Sequence, residues 1–180
     1  MPETRAEDDR CDHEPCITIG APSSVDGADV HDLIASCPPL DQNSLYANLI
    51  QCTHFADTCA IARRDGKTVG WVSGHIPPRQ PDVFFLWQIA VDASTRGQKL
   101  PERLVASILS RPTSRDVRYI NTTITPGNRA SWKMFERLAR WLSAPMRTQD
   151  FFEREGHFRG RHDSETLVII GPFDPGSVAA

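Results

Sequence analysis

FFLWQIAVDASTRGQKLPERL, residues 84–104, runs an apolar segment into a basic turn and then into a segment with helical spacing. Residues 83–91 lack the polar alternation of a half-exposed strand, which is the pattern of a strand covered on both faces. Arg96-Gly97-Gln98-Lys99 then turns the chain. Leu104, Val105, Ile108 and Leu109 form an apolar stripe over residues 100–110, and Pro112 closes it. A helix start presents unpaired backbone N–H groups and a partial positive charge, which suits phosphate oxygens. Here Arg96 and Lys99 add two cations, and Gly97 permits a sharp turn. Pro101 fits the first helical turn but carries no N–H, so it removes one donor. An ordinary strand–loop–helix connection with solvated basic residues is the alternative that this stretch alone leaves open.

Outward from this stretch, the pattern predicts a chain of short elements. Ile17 and Ile19 mark a first strand. Residues 26–37 and 43–52 read as helices, the first stopped by Pro38-Pro39 and the second capped by Asn43 or Ser44. Residues 58–62 and 68–75 read as strands joined through Asp65-Gly66, a strong hairpin signal. After the buried strand and its helix, residues 119–125 alternate as a strand. Pro126-Gly127-Asn128 turns into a helix over residues 129–142, with Trp132, Phe135, Leu138, Ala139 and Leu142 on one face. Phe151-Phe152 and residues 166–170 read as the last two strands. The expected fold is α/β, a mixed sheet of about seven strands with helices on both faces.

The 180 residues and net charge of −3 suit one compact domain and supply no global positive field for nucleic acid. One domain is expected over residues 16–173, with flexible tails at 1–15 and 174–180. No apolar run approaches the ~20 residues of a membrane-spanning helix, and the polar start lacks a secretory apolar core, so a cytoplasmic setting is expected. The five cysteines (Cys11, Cys16, Cys37, Cys52 and Cys59) are odd in number and form no Cys-x-x-Cys pair, so reduced thiols are expected. Neither Cys52, His54 and Cys59 nor His157, His162, Asp163 and Glu165 has a standard zinc spacing, and no metal is expected.

The element order and the turn at residues 96–101 resemble the GNAT acetyltransferases. In that superfamily the turn reads Arg or Gln, two residues, Gly, one residue, then Gly or Ala, and it binds the pyrophosphate of acetyl-CoA. This chain keeps Arg96 but has Lys99 and Pro101 at the two small-residue positions. Pro126-Gly127-Asn128-Arg129-Ala130-Ser131 with Met134-Phe135 resembles the segment that contacts the pantetheine arm. Phe135 stands where many members carry a Tyr that protonates the departing thiolate. Phe cannot donate a proton, so another group or water must do so.

Further stretches are similar to one branch, the L-2,4-diaminobutyrate acetyltransferases of ectoine biosynthesis: CPPLDQNSLYANLIQCTHFADTCAIA, WVSGH, PDVFFLWQIAV, TTITPGNRASWKMFERLA, FFE, HDSE and IGPF. The resemblance implies acetyl transfer from acetyl-CoA to the γ-amino group of L-2,4-diaminobutyrate by a homodimer. It places the substrate on Asp41, Tyr46, Trp87, His162 and Glu165. It places acetyl-CoA on Ile89 and Val91 of the buried strand, on Arg96, Gly97, Gln98, Lys99 and Leu100 of the turn, and on Asn128, Ser131 and Phe135. Asp41 and Glu165 are the two candidates for the proton acceptor, and an N–H near Ile89 is the candidate oxyanion donor. A closed, carboxylate-lined pocket is therefore expected.

The chemistry wants such residues. Two carboxylates complement the two ammonium groups of the substrate, and the face of Trp87 or Tyr46 offers a cation–π contact. Plainer roles stay open: Asp41 as a turn residue, Trp87 as core, Glu165 as an exposed loop charge. A GNAT acting on a protein amino terminus or a polyamine, and a non-catalytic acyl-CoA-binding domain, are the functional alternatives.

Overall fold

A computed structural model describes residues 16–177 of the chain. Its elements are β1 (Ile17–Gly20), α1 (Gly27–Ala35), α2 (Leu45–His54), β2 (Ala60–Arg64), β3 (Lys67–His75), β4 (Val83–Val91), α3 (Leu100–Leu109), β5 (Tyr119–Ile124), α4 (Arg129–Trp141), β6 (Met146–Phe152) and β7 (Glu165–Ile170). Residues 1–15, expected as a tail and containing Cys11, lie outside the described residues, as do residues 178–180. The stretch expected as the other tail begins with a 3-10 turn, Pro175–Ser177.

Local chemistry explains most of the boundaries. Asp65 and Gly66 both take positive φ, 51° and 78°, which a two-residue turn between paired strands requires, and Arg64 pairs with Lys67 across it. The Ser44 hydroxyl accepts the Ala47 N–H at 3.1 Å and starts α2. The Asn128 side chain does the same for Ser131 at the start of α4. The sixth strand is longer than Phe151-Phe152: it covers Met146–Phe152 and, among the described residues, pairs only with β7. Most of its residues are exposed at the sheet edge, so no apolar alternation marked it.

The seven strands form one sheet in the order β1-β2-β3-β4-β5-β7-β6. Every neighbouring pair is antiparallel except β4 and β5. Two apolar clusters cover the two faces, as a strand without polar alternation implies. One joins Phe84, Leu86 and Ile120 to Leu104 and Ile108 of α3 and to Phe135 and Leu138 of α4. The other joins Ile61, Trp71 and Ala90 to Val30 and Ile34 of α1 and to Cys52 of α2.

Two irregularities shape the centre of the sheet. First, β4 and β5 pair only at Val83–Tyr119, Phe84–Ile120 and Phe85–Asn121. Beyond those pairs the strands part, and alternate backbone groups of β4 face the gap without a strand partner. Second, Ser73 pairs with Gln88 but Gly74 pairs with Leu86, so Trp87 is an extra residue in β4. This bulge shifts the alternation by one. Phe84 and Leu86 face the α3–α4 cluster, whereas Ala90 faces the α1–α2 cluster. Gly74 permits the crossing, because a Cβ there would lie 2.4 Å from the Phe84 ring.

Candidate active site

The gap between β4 and β5 is a cleft of about 440 Å³. Residues 86–89 form one wall and residues 122–125 another. The loop carrying Asp41 and Asn43, the start of α4, and His162, Asp163 and Glu165 complete it. A smaller, mainly apolar cavity of about 200 Å³ adjoins it, with Pro39, Leu40, Ile89, Asn128 and Ser131 as shared walls. This second cavity extends past Val91 and Met134 to Pro101 in the first turn of α3.

The acidic end is organised around His162. Its Nε2 lies 3.6 Å from Asp41 Oδ2, and its Nδ1 lies 3.9 Å from Glu165 Oε1. The Asp163 carbonyl lies 2.7 Å from Nδ1, and a carbonyl can only accept, so Nδ1 carries a proton. That hydrogen bond holds the imidazole pKa above its ordinary value, against the opposing effect of burial and with help from the Glu165 and Asp41 charges. Burial pushes the Glu165 carboxyl above the usual range, while the Thr123 hydroxyl and the His162 charge pull it back. Phe158 packs on the His162 ring, centroids 4.8 Å apart.

The pocket is more open than the sequence implied. The Asp41 side chain is 86% exposed and stands at the rim, whereas that of Glu165 is 16% exposed and lies inside. Trp87 lines the cleft and is 54% exposed, because the bulge turns it out of the core. Tyr46 sits in the first turn of α2, is 72% exposed and lines neither cavity. The cap at Ser44 turns Asn43, not Tyr46, toward β4.

Ile89, Asn128 and Ser131 line both cavities, Val91 lines the smaller one, and Phe135 lines the acidic cleft while 97% of it is buried in the core. The Leu100 side chain is fully buried and belongs to the core. Arg96, Gly97, Gln98 and Lys99 are exposed beyond Val91 and line neither cavity. Gly97 takes φ 82° and Lys99 takes the left-handed conformation at φ 51°. The Arg103 N–H bonds the Lys99 carbonyl at 3.1 Å, so the N–H groups of Leu100 and Glu102 precede the helix's own ladder. Arg64 donates to Gln98 Oε1 at 2.8 Å and ties the hairpin to this turn.

Sequence reasoning missed Gln88, Asn43 and Thr123. Gln88 carried a signal, as the one polar side chain in the run of residues 83–91. Among the described residues no group of three or more His, Cys, Asp or Glu is placed to hold a metal ion. No described helix is long and apolar enough to cross a membrane.

The family model for the acetyltransferase (GNAT) family matches residues 28–139. The chain is 46% identical to the L-2,4-diaminobutyric acid acetyltransferase of Methylotuvimicrobium alcaliphilum over 159 residues, 88% of this chain and 92% of that protein. It is 48% identical to the enzyme of the same name from Chromohalobacter salexigens over 158 residues, 87% of this chain and 82% of that protein. Among solved structures, diaminobutyrate acetyltransferase EctA from Paenibacillus lautus, in complex with its substrate L-2,4-diaminobutyric acid and coenzyme A, superposes with a TM-score of 0.82. The two share 34% identity over 89% of this chain and 97% of that one. With a cleft between splayed strands, an apolar slot leading to a helix start and relatives this similar over nearly their whole length, the chain belongs to the GNAT acetyltransferase family and, within it, to the L-2,4-diaminobutyric acid acetyltransferases.

Proposed function

We propose that this protein transfers the acetyl group of acetyl-CoA to the γ-amino group of L-2,4-diaminobutyrate, as a cytoplasmic homodimer and as a step toward ectoine. The observation that carries this reading is the junction of the two cavities at Ile89, Asn128 and Ser131. An apolar slot suited to a pantetheine arm meets there an acidic cleft suited to a diamine. The slot leads to the start of α3, where free N–H groups and the cations of Arg96 and Lys99 suit a pyrophosphate.

An alkyl ammonium has a pKa near 10, so roughly one molecule in a thousand is neutral at pH 7, and the site needs a proton acceptor. Glu165 fills that role in this reading, because its raised pKa suits proton acceptance and its side chain lies within the cleft. Asp41 at the rim holds the α-ammonium, and Trp87 offers its ring face to the cation. The neutral γ-amine then attacks the thioester carbon. A β4 N–H near Ile89, on the edge facing the gap, meets the charge on the carbonyl oxygen, worth roughly 3 kcal/mol. Collapse of that adduct expels the CoA thiolate, which takes its proton from water or the newly formed ammonium, because Phe135 has none to give.

A thiol-release assay tests this. Diaminobutyrate, ornithine, lysine and a polyamine are each offered with acetyl-CoA, and the product is located by NMR. Turnover of diaminobutyrate with γ-acetylation supports the reading. Preferred turnover of ornithine or a polyamine, or CoA binding without turnover, overturns it.

A further inference from the structure

Asp41 has a weak hold on its own position. Its carboxylate is 86% exposed, and His162 Nε2 at 3.6 Å is its ionic neighbour. Its backbone is held differently. The Gln88 side-chain amide donates to the Asp41 carbonyl at 2.8 Å, and the Gln88 side-chain oxygen accepts from Asn43 Nδ2 at 3.0 Å. Both ends of one amide are thus spent on a single loop between α1 and α2. Gln88 is 8% exposed and follows the bulged residue Trp87 in β4, so it sits on the rigid centre of the sheet. A buried amide with both ends satisfied fixes its partners, since breaking either bond leaves a polar group without a partner.

We infer that Gln88, assisted by Asn43, is the positioning residue that holds Asp41 at the rim of the cleft and thereby sets affinity for the diamine. This rests on the reading of Asp41 as an ammonium ligand. Gln88 acts through the loop rather than on the reacting atoms, and its bonds fall on Asp41 and Asn43, past the Pro39 and Leu40 walls shared with the acetyl-CoA slot, so its loss weakens amine binding far more than acetyl-CoA binding. Length alone does not suffice. A glutamate at this position keeps the acceptor for Asn43 but sets a carboxylate oxygen against the Asp41 carbonyl.

The test is a double-mutant cycle read as Michaelis constants for both substrates. Gln88→Glu and Gln88→Met are each expected to raise KM for diaminobutyrate about tenfold, the scale of one lost hydrogen bond. KM for acetyl-CoA should stay within about twofold, and Tm within a few degrees. On an Asp41→Asn background, Gln88→Met should raise the diamine KM little further. Asn43→Ser lies in the loop, leaves the sheet untouched and should raise the same constant severalfold, which keeps the test sound if a Gln88 variant fails to fold. Equal rises in both Michaelis constants, full additivity with Asp41→Asn, or unchanged kinetics in Gln88→Met and Asn43→Ser would each overturn the inference. Were the wild type inactive on diaminobutyrate, the proposed function itself would fall, a result that needs no variant to detect.

Discussion

The His162 Nδ1–H is committed to the Asp163 carbonyl 2.7 Å away, which leaves Nε2, 3.6 Å from Asp41, as the nitrogen that titrates. A cationic imidazole is thereby favoured between two carboxylates. Its charge pulls the Glu165 pKa down while burial, the larger effect, pushes it up.

Removing that charge should therefore be visible in the pH profile. A base works only when deprotonated, so the acid limb of kcat/KM follows the Glu165 pKa in the free enzyme. In His162→Gln the cation is lost and the burial of Glu165 is unopposed by it. The limb should move to higher pH than in the wild type, with reduced activity at neutral pH. A pH–rate series from pH 5 to pH 9 checks this, and a limb that moves to lower pH contradicts it.

The same carboxylate should weaken the fold. A folded-state pKa raised above the unfolded value means that the folded chain binds the proton more tightly. Stability from Glu165 is then full below its unfolded pKa and is lost as pH rises through the folded one. Glu165→Gln should raise stability at pH 7 by on the order of 1 kcal/mol, the scale of a single stabilising substitution. The gain should vanish near pH 4, while activity falls by about 10²-fold or more. Chemical denaturation at the two pH values, beside the activity assay, reads both effects.

Local signals foretold much of the scaffold. The hairpin at Asp65-Gly66, the cap at Ser44 and the doubly covered strand β4 each follow from a few neighbouring residues. What was illegible depends on distant partners. Trp87 leaves the core because β3 and β4 slip by one residue where Gly74 admits the Phe84 ring. Gln88 meets the Asp41 carbonyl across 47 positions of sequence. The start of β6 had no apolar pattern to show, since its side chains face outward at the sheet edge. Tyr46 matched its segment by resemblance, and its exposure in the first turn of α2, outside the lining of the cleft, had no local signal.

The turn before α3 separates a backbone effect from a charge effect. Lys99 takes φ 51°, a conformation that costs a residue with a Cβ about 1 kcal/mol or more and costs glycine little. Lys99→Gly removes that strain but adds about 0.4–1 kcal/mol of freedom to the unfolded chain. The two effects nearly cancel, so stability should change by less than about 1 kcal/mol. The ammonium is lost in the same substitution. If it faces the pyrophosphate, KM for acetyl-CoA should rise severalfold at low ionic strength. The rise should shrink in about 1 M salt, where the screening length is near 3 Å. KM for diaminobutyrate should stay unchanged, because Lys99 lines neither cavity. Initial-rate kinetics at two salt concentrations, with a urea melt of the same protein, decide it. A salt-independent rise would assign the effect of Lys99 to the shape of the turn, and an unchanged constant would remove its charge from cofactor binding.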